Sequence, residues 1–216
     1  MGSAVTATAA RTFEVRHVQL ARALFAALAA VMITFSPDHS AAVGLSVFSG
    51  LAIASGLVLL LACWLVYAAG ARSVPLILGI LTVIAGMIGS LPGVRTGTGF
   101  FAVAITWALV TGIVELIGGI RGRRTGDAAA RDGVLIGILT IAFGIGLLLV
   151  NPAYSLEYFI PEAGRSFSLT GITIGVGLFG GYCAIVAVFL GIAGFSPRRE
   201  AGAGPAGAHT SAGETP

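Results

Sequence analysis

The stretch FFAVAITWALVTGIVELIGGI, Phe100 to Ile120, carries a single charged side chain, Glu115, in twenty-one residues. About 20 predominantly apolar residues are what a helix needs to cross the ~30 Å hydrocarbon core of a bilayer. Unpaired backbone groups are costly in lipid, so a segment of this kind satisfies its own N–H and C=O groups by coiling into a helix.

Outward from that stretch the same pattern recurs. No charge falls between Asp132 and Glu157 or between Arg165 and Arg198. Such gaps define six spans, at Val18 to Phe35, Ala42 to Ala69, Val74 to Leu91, Phe100 to Ile120, Gly133 to Val150 and Leu169 to Phe195. The whole chain agrees: of its 216 residues 56% are hydrophobic and 10% charged, with a mean hydropathy of +0.99. A soluble domain carries about 25% charged residues, so an ordinary cytosolic enzyme is excluded.

The expected fold is an all-α, six-helix transmembrane bundle. Residues 1–17 form a cytoplasmic N-terminal segment, 18–195 the transmembrane domain, and 196–216 a tail too rich in Ala, Gly, Pro and Thr to bury a core, expected to be disordered. A cleaved signal peptide ending at Ser40-Ala41-Ala42 is the competing reading of the first span. Against it, Ser36-Pro37-Asp38-His39 reads as a helix-ending turn, and the repeats described below need this helix.

All twelve basic residues are arginine. Ten of them, at the N-terminus, at Arg72, between Arg121 and Arg131 and at Arg198 and Arg199, fall on one side of the spans; Arg95 and Arg165 fall on the other. The positive-inside rule then places both termini in the cytoplasm of a multi-pass cell-membrane protein. The bilayer is its first partner, with a homo-oligomer or another membrane protein left open. The arginines form no face that would track phosphates, so nucleic acid is not an expected partner.

Internal similarity is visible. Gly79-Ile80-Leu81-Thr82 matches Gly137-Ile138-Leu139-Thr140, and Gly86 matches Gly144 at the same offset. Ala52 to Leu60 aligns with Ala108 to Leu116, which superposes Gly56 on Gly112, and Gly181 takes the matching place in the last span. Three parallel two-helix hairpins follow, at 18–69, 74–120 and 133–195, related by an axis along the membrane normal. The glycines Gly56, Gly79, Gly86, Gly112, Gly137, Gly144 and Gly181 are expected to be helix-packing positions, since small residues let helices approach closely in lipid.

The segment Ile105 to Pro152 carries the helix Trp107-Ala108-Leu109-Val110-Thr111-Gly112-Ile113-Val114-Glu115, a basic turn, and a Gly137-Ile138-Leu139-Thr140 helix closing at Asn151-Pro152. It resembles the HdeD family of short-repeat membrane proteins, and the likeness extends over most of Arg22 to Phe195. The resemblance implies a six-helix inner-membrane protein, linked in enteric bacteria to acid resistance, with no established catalytic residues. The long loop from Asn151 to Ser168 departs from the family pattern.

Glu115 lies about 8 Å from the cytoplasmic end of its helix, five residues at 1.5 Å each. An acidic group inside a span is a functional candidate by default. Arg22 enters the first span to a comparable depth from the same side, so a Glu115–Arg22 ion pair between helices is expected, with proton transfer by Glu115 as the alternative. The loop's Tyr154, Tyr158, Phe159 and Phe167, set among Glu157, Glu162 and Arg165, read as an interfacial segment.

Cys63 and Cys183 sit in apolar runs with no metal-ligand spacing. No catalytic triad, nucleotide loop or metal cluster is legible, so neither an enzyme nor a cofactor is expected. Two function classes remain. One is a non-enzymatic membrane protein of envelope or acid-stress physiology; the other is a small transporter or channel with a proton-titrating Glu115. Polar lining near the midplane separates them. The hydroxyls at that depth, Ser55, Thr82, Thr111 and Thr140, can bond their own helices, which favours the first class.

Overall fold

The protein is described here by a computed structural model covering residues 13–126, 129–161 and 164–196. Among the described residues six helices are long and apolar enough to cross a membrane: α1 (Val15–Phe35), α2 (Ala41–Leu65), α3 (Ser73–Ser90), α4 (Gly97–Arg124), α5 (Ala130–Leu149) and α6 (Gly171–Phe195). Each overlaps one span read from the charge gaps. The expectations for the first twelve residues and for the tail, including Arg11, Arg198 and Arg199, lie outside the described residues.

Local chemistry explains the helix ends. Ser40, Thr96 and Thr170 are N-caps whose hydroxyls accept from the backbone N–H of Val43, Gly99 and Thr173, satisfying donors that have no partner inside the helix. The Ser36–Asp38 turn is pinned by the Asp38 carboxylate, which accepts from the backbone N–H and the hydroxyl of Ser40. α2 stops four residues short of the expected Ala69, and a short 3-10 turn at Ala69–Ala71 makes the corner. α4 instead runs four residues beyond Ile120, with Arg121, Arg123 and Arg124 in its last turn, where a cation opposes the negative end of the helix dipole.

The helices form a ring in chain order that α1 and α6 close. The closest pairings are α2 with α3, α4 with α5, and α1 with α6; the α1–α2, α3–α4 and α5–α6 seams are looser. The tight seams therefore cut across the hairpin units 18–69, 74–120 and 133–195 instead of lying within them. Glycine lies at all three tight seams. Gly56 faces Gly79 and Val83, and Gly112 faces Gly137 and Ile141; Gly86 packs on Ala52 and Ile53, and Gly144 on Ala108 and Leu109.

Gly181 departs from this pattern. A side chain there would meet nothing within 4 Å, so it is not a packing glycine; its neighbour Gly180 packs on Ile33, and Gly194 packs on Leu20. The expected position failed because an offset copied from α2 and α4 put the wrong face of α6 toward its neighbour. Gly177 likewise meets nothing within 4 Å, whereas Gly175 packs on Phe100 and Phe101.

Between α5 and α6 the chain forms an antiparallel hairpin, β1 (Ser155–Ile160) and β2 (Arg165–Thr170), registered from Ser155 opposite Thr170 to Ile160 opposite Arg165. The sequence predicts an interfacial loop here, and the structure shows two paired strands instead. Gly164, in the turn just before β2, adopts φ +63°, a conformation open to a residue without a Cβ. This hairpin lies at one end of the bundle, with Asp38 and Arg95. The opposite end carries Arg16, Arg72, Arg121, Arg123, Arg124 and Arg131, and is called the arginine-bearing end below.

Candidate functional site

α2, α4 and α6 meet at the centre of the ring through side chains. Phe48 touches Trp107 at 5.2 Å and Phe179 at 5.8 Å between ring centroids, and Trp107 touches Tyr182 at 6.1 Å, all edge to face. Such contacts are worth about 0.5–1.5 kcal/mol beyond their buried area. Phe143 of α5 stacks on Tyr182 at 4.7 Å and leans on Phe179. With the fully buried Phe100 of α4, these rings fill the half of the bundle nearest the hairpin.

Below the rings the packing opens into a cavity of about 50 Å³. Ser55, Thr82, Thr111, Thr140 and Tyr182 line it, together with Trp107 and Cys183. The hydroxyls of Thr82, Thr111, Thr140 and Tyr182 are held by hydrogen bonds. Thr111 donates to the Trp107 carbonyl (2.6 Å) and Thr140 to the Ile136 carbonyl (2.8 Å). A threonine hydroxyl has one proton to give, so Tyr182 donates across to Thr140 Oγ1 at 2.9 Å. The indole of Trp107 donates from Nε1 to Thr82 Oγ1 at 3.3 Å, joining α4 to α3. A water needs about 10–15 Å³ by this measure and two to four polar partners, so the cavity has the size and lining to hold a few.

The floor of the cavity is the ion pair. Arg22 Nη1 lies 3.1 Å from Glu115 Oε1, linking α1 to α4 across the bundle, and the two side chains are 19% and 11% exposed. Taking both charges out of water is costly, and their mutual attraction with hydrogen bonding offsets that cost. Removing one partner would strand the other charge.

On the far side of the pair lies a vestibule of about 330 Å³ at the arginine-bearing end, lined by Gln19, Tyr67, Ser73, Arg121 and Asp132 among others. Gln19 Nε2 donates to Asp132 Oδ2 at 2.7 Å, tying α1 to the first turn of α5. Vestibule and cavity share five lining residues, Arg22, Glu115, Leu59, Leu78 and Leu190. An ion pair and three leucines thus form the partition between them.

The structure brings Arg22 and Glu115 together and places Ser55, Thr82, Thr111 and Thr140 around one cavity. It does not bring Cys63 to Cys183: both are buried and free, Cys63 near the Arg72 turn and Cys183 on the cavity wall. Among the described residues no group of His, Cys, Asp and Glu is arranged to hold a metal ion. Tyr182, Trp107, Gln19 and Asp132 are not among the site residues that the sequence points to. Gln19 is the only glutamine of the chain, a polar group at the edge of an apolar run, and that was the available signal. Tyr182 was equally visible as a phenol inside the last span. No family model, no curated protein and no solved structure matches this chain.

Proposed function

We propose that this integral membrane protein is a small transporter of the bacterial cell membrane, of HdeD type, non-enzymatic, with both termini cytoplasmic. In this reading the vestibule admits a proton or a small polar solute from the cytoplasmic face, and the Arg22–Glu115 pair controls its passage to the inner cavity. One observation carries the proposal: the vestibule and the hydroxyl-lined cavity abut at a partition containing the only carboxylate deep within the spans. Hydroxyls that bonded only their own helices and faced lipid would have spoken against transport. Thr111 and Thr140 do bond their own helices, but all four hydroxyls line one cavity, and that shared polar lining supports transport.

The scaffold of this reading is three two-helix repeats related by rotation about the membrane normal. It is supported by the equivalence of the Gly56–Gly79 and Gly112–Gly137 contacts.

The test is flux in reconstituted vesicles. A pH-sensitive dye trapped inside should report faster collapse of an imposed proton gradient with the wild-type protein than with empty vesicles. Glu115→Gln keeps the side-chain shape but cannot titrate, and should return the rate to background while the protein remains folded. Wild-type vesicles as tight as empty ones to protons would defeat the proton-transfer reading.

A second reading is favoured by the rings at the hairpin end. Phe48, Phe100, Phe143 and Phe179 close that half of the bundle without a charged group among them. This supports a protein that acts in envelope or acid-stress physiology through packing or partner contact, with no passage across. Acid survival that is lost on deletion and fully restored by Glu115→Gln, with no flux in vesicles, would favour it over transport.

A further inference from the structure

A second cavity, of about 320 Å³, opens on the lipid-facing side of the α3–α4 seam. Leu81, Ile84 and Ile88 of α3 and Val103, Trp107 and Val110 of α4 line it, and no charged side chain does. These positions recur at helical spacing along one face of each helix, so the groove runs parallel to the helix axes. On α4 it extends from Ala102 to Thr111. Nine residue steps at 1.5 Å make about 13–14 Å, close to half of a ~30 Å hydrocarbon core. The groove occupies the half of α4 nearest the β-hairpin, so it matches the depth of one leaflet. A single hydrocarbon chain matches its length and its lack of charge.

We propose that the α3–α4 groove holds one acyl chain of a bilayer lipid, with the end of the chain against the indole of Trp107. Trp107 and Thr111 line both this groove and the central cavity. The indole is therefore the wall between a lipid chain on one side and the hydroxyl-lined cavity on the other. The Nε1 bond to Thr82 crosses the seam at this point and holds the wall in place. The chain completes the apolar face of that wall and keeps cavity water from the bilayer. This inference does not depend on the transport reading.

The chain has two tryptophans, so Trp64→Phe leaves Trp107 as the sole indole. The variant is reconstituted into vesicles of phosphatidylcholine brominated at different depths along its acyl chains, because bromine quenches indole fluorescence on contact. Quenching should be strongest with bromines toward the methyl end of the chain, where the groove meets Trp107. Filling the groove with Ala85→Leu or Ala102→Leu should relieve most of that quenching, with helicity and melting unchanged. Quenching independent of bromine depth would overturn the proposal, and so would folded filling variants quenched as strongly as the parent. Should the filling variants fail to fold, the depth profile of the Trp64→Phe protein alone decides.

Discussion

Gly56 and Gly79 meet back to back: a methyl group on Gly56 would lie 2.9 Å from the Gly79 carbonyl oxygen, and one on Gly79 would lie 3.0 Å from the Gly56 carbonyl oxygen. Gly112 and Gly137 repeat the relationship at 3.1 and 2.9 Å, and a methyl on Gly137 would also come within 2.6 Å of the Leu116 backbone nitrogen. Obstruction by backbone cannot be relieved by turning a side chain.

The first prediction follows from that geometry. Gly137→Ala should lower stability in detergent by about 1–3 kcal/mol, the usual cost of overpacking a well-filled core. Gly181→Ala, where nothing lies within 4 Å, should leave the melting temperature unchanged or slightly raised. Equal melting of Gly137→Ala and the wild type would remove the close seam as a source of stability.

The ion pair should show strong coupling. Arg22→Ala or Glu115→Ala alone strands a charge that is largely buried, at a cost of about 3–5 kcal/mol. The double variant should cost clearly less than the sum of the two single changes, as read from unfolding curves of all four proteins. Additive losses would mean that the two side chains do not stabilise each other.

Cys183 offers a direct view of the partition. It lines the inner cavity and is fully buried. In a Cys63→Ser background, a small water-soluble thiol reagent should label Cys183 slowly in otherwise wild-type protein. Labelling should be several-fold faster once Glu115→Ala opens the way from the vestibule. Unaltered labelling in a folded Glu115→Ala protein would show that the leucines alone keep the cavity shut.

Reporter fusions test the proposed orientation. Fusions after residues 40, 95 and 160 should give periplasmic signals and those after 72, 126 and 200 cytoplasmic ones, as the arginine asymmetry requires. A cytoplasmic signal after residue 160 would reverse the assignment.

The six helices were legible because a charge is costly in hydrocarbon, so the gaps between charges mark the spans directly. The approach of Arg22 to Glu115 was legible for the same reason: two charges at equal depth from one side have few other partners. The pairing of helices was not. A helix in lipid is apolar all round, so its sequence carries little sign of which face meets a neighbour, and only glycine marked two of the tight seams. On α6 even that failed, since Gly180 and Gly181 are adjacent and face different directions. The hairpin had a signal that went unused: Leu156-Glu157-Tyr158 alternates apolar and polar, and Pro161-Glu162-Ala163-Gly164 is turn-forming. The gathering of Thr82, Thr111, Thr140 and Tyr182 from four helices depends on the whole ring, which no local pattern encodes.

The seam between α1 and α6 makes the order of synthesis matter. The first helix leaves the ribosome long before the last, and until α6 arrives α1 is held to the growing chain chiefly through its looser contact with α2. Ile33 and Leu20 wait in lipid for Gly180 and Gly194. Arg22 can meet Glu115 as soon as α4 is inserted, so the ion pair serves as an early clasp on a helix whose main packing partner is made last. A nascent chain halted after α5 would keep this clasp while lacking the wall that α6 supplies, an open intermediate that the membrane must shelter until translation ends.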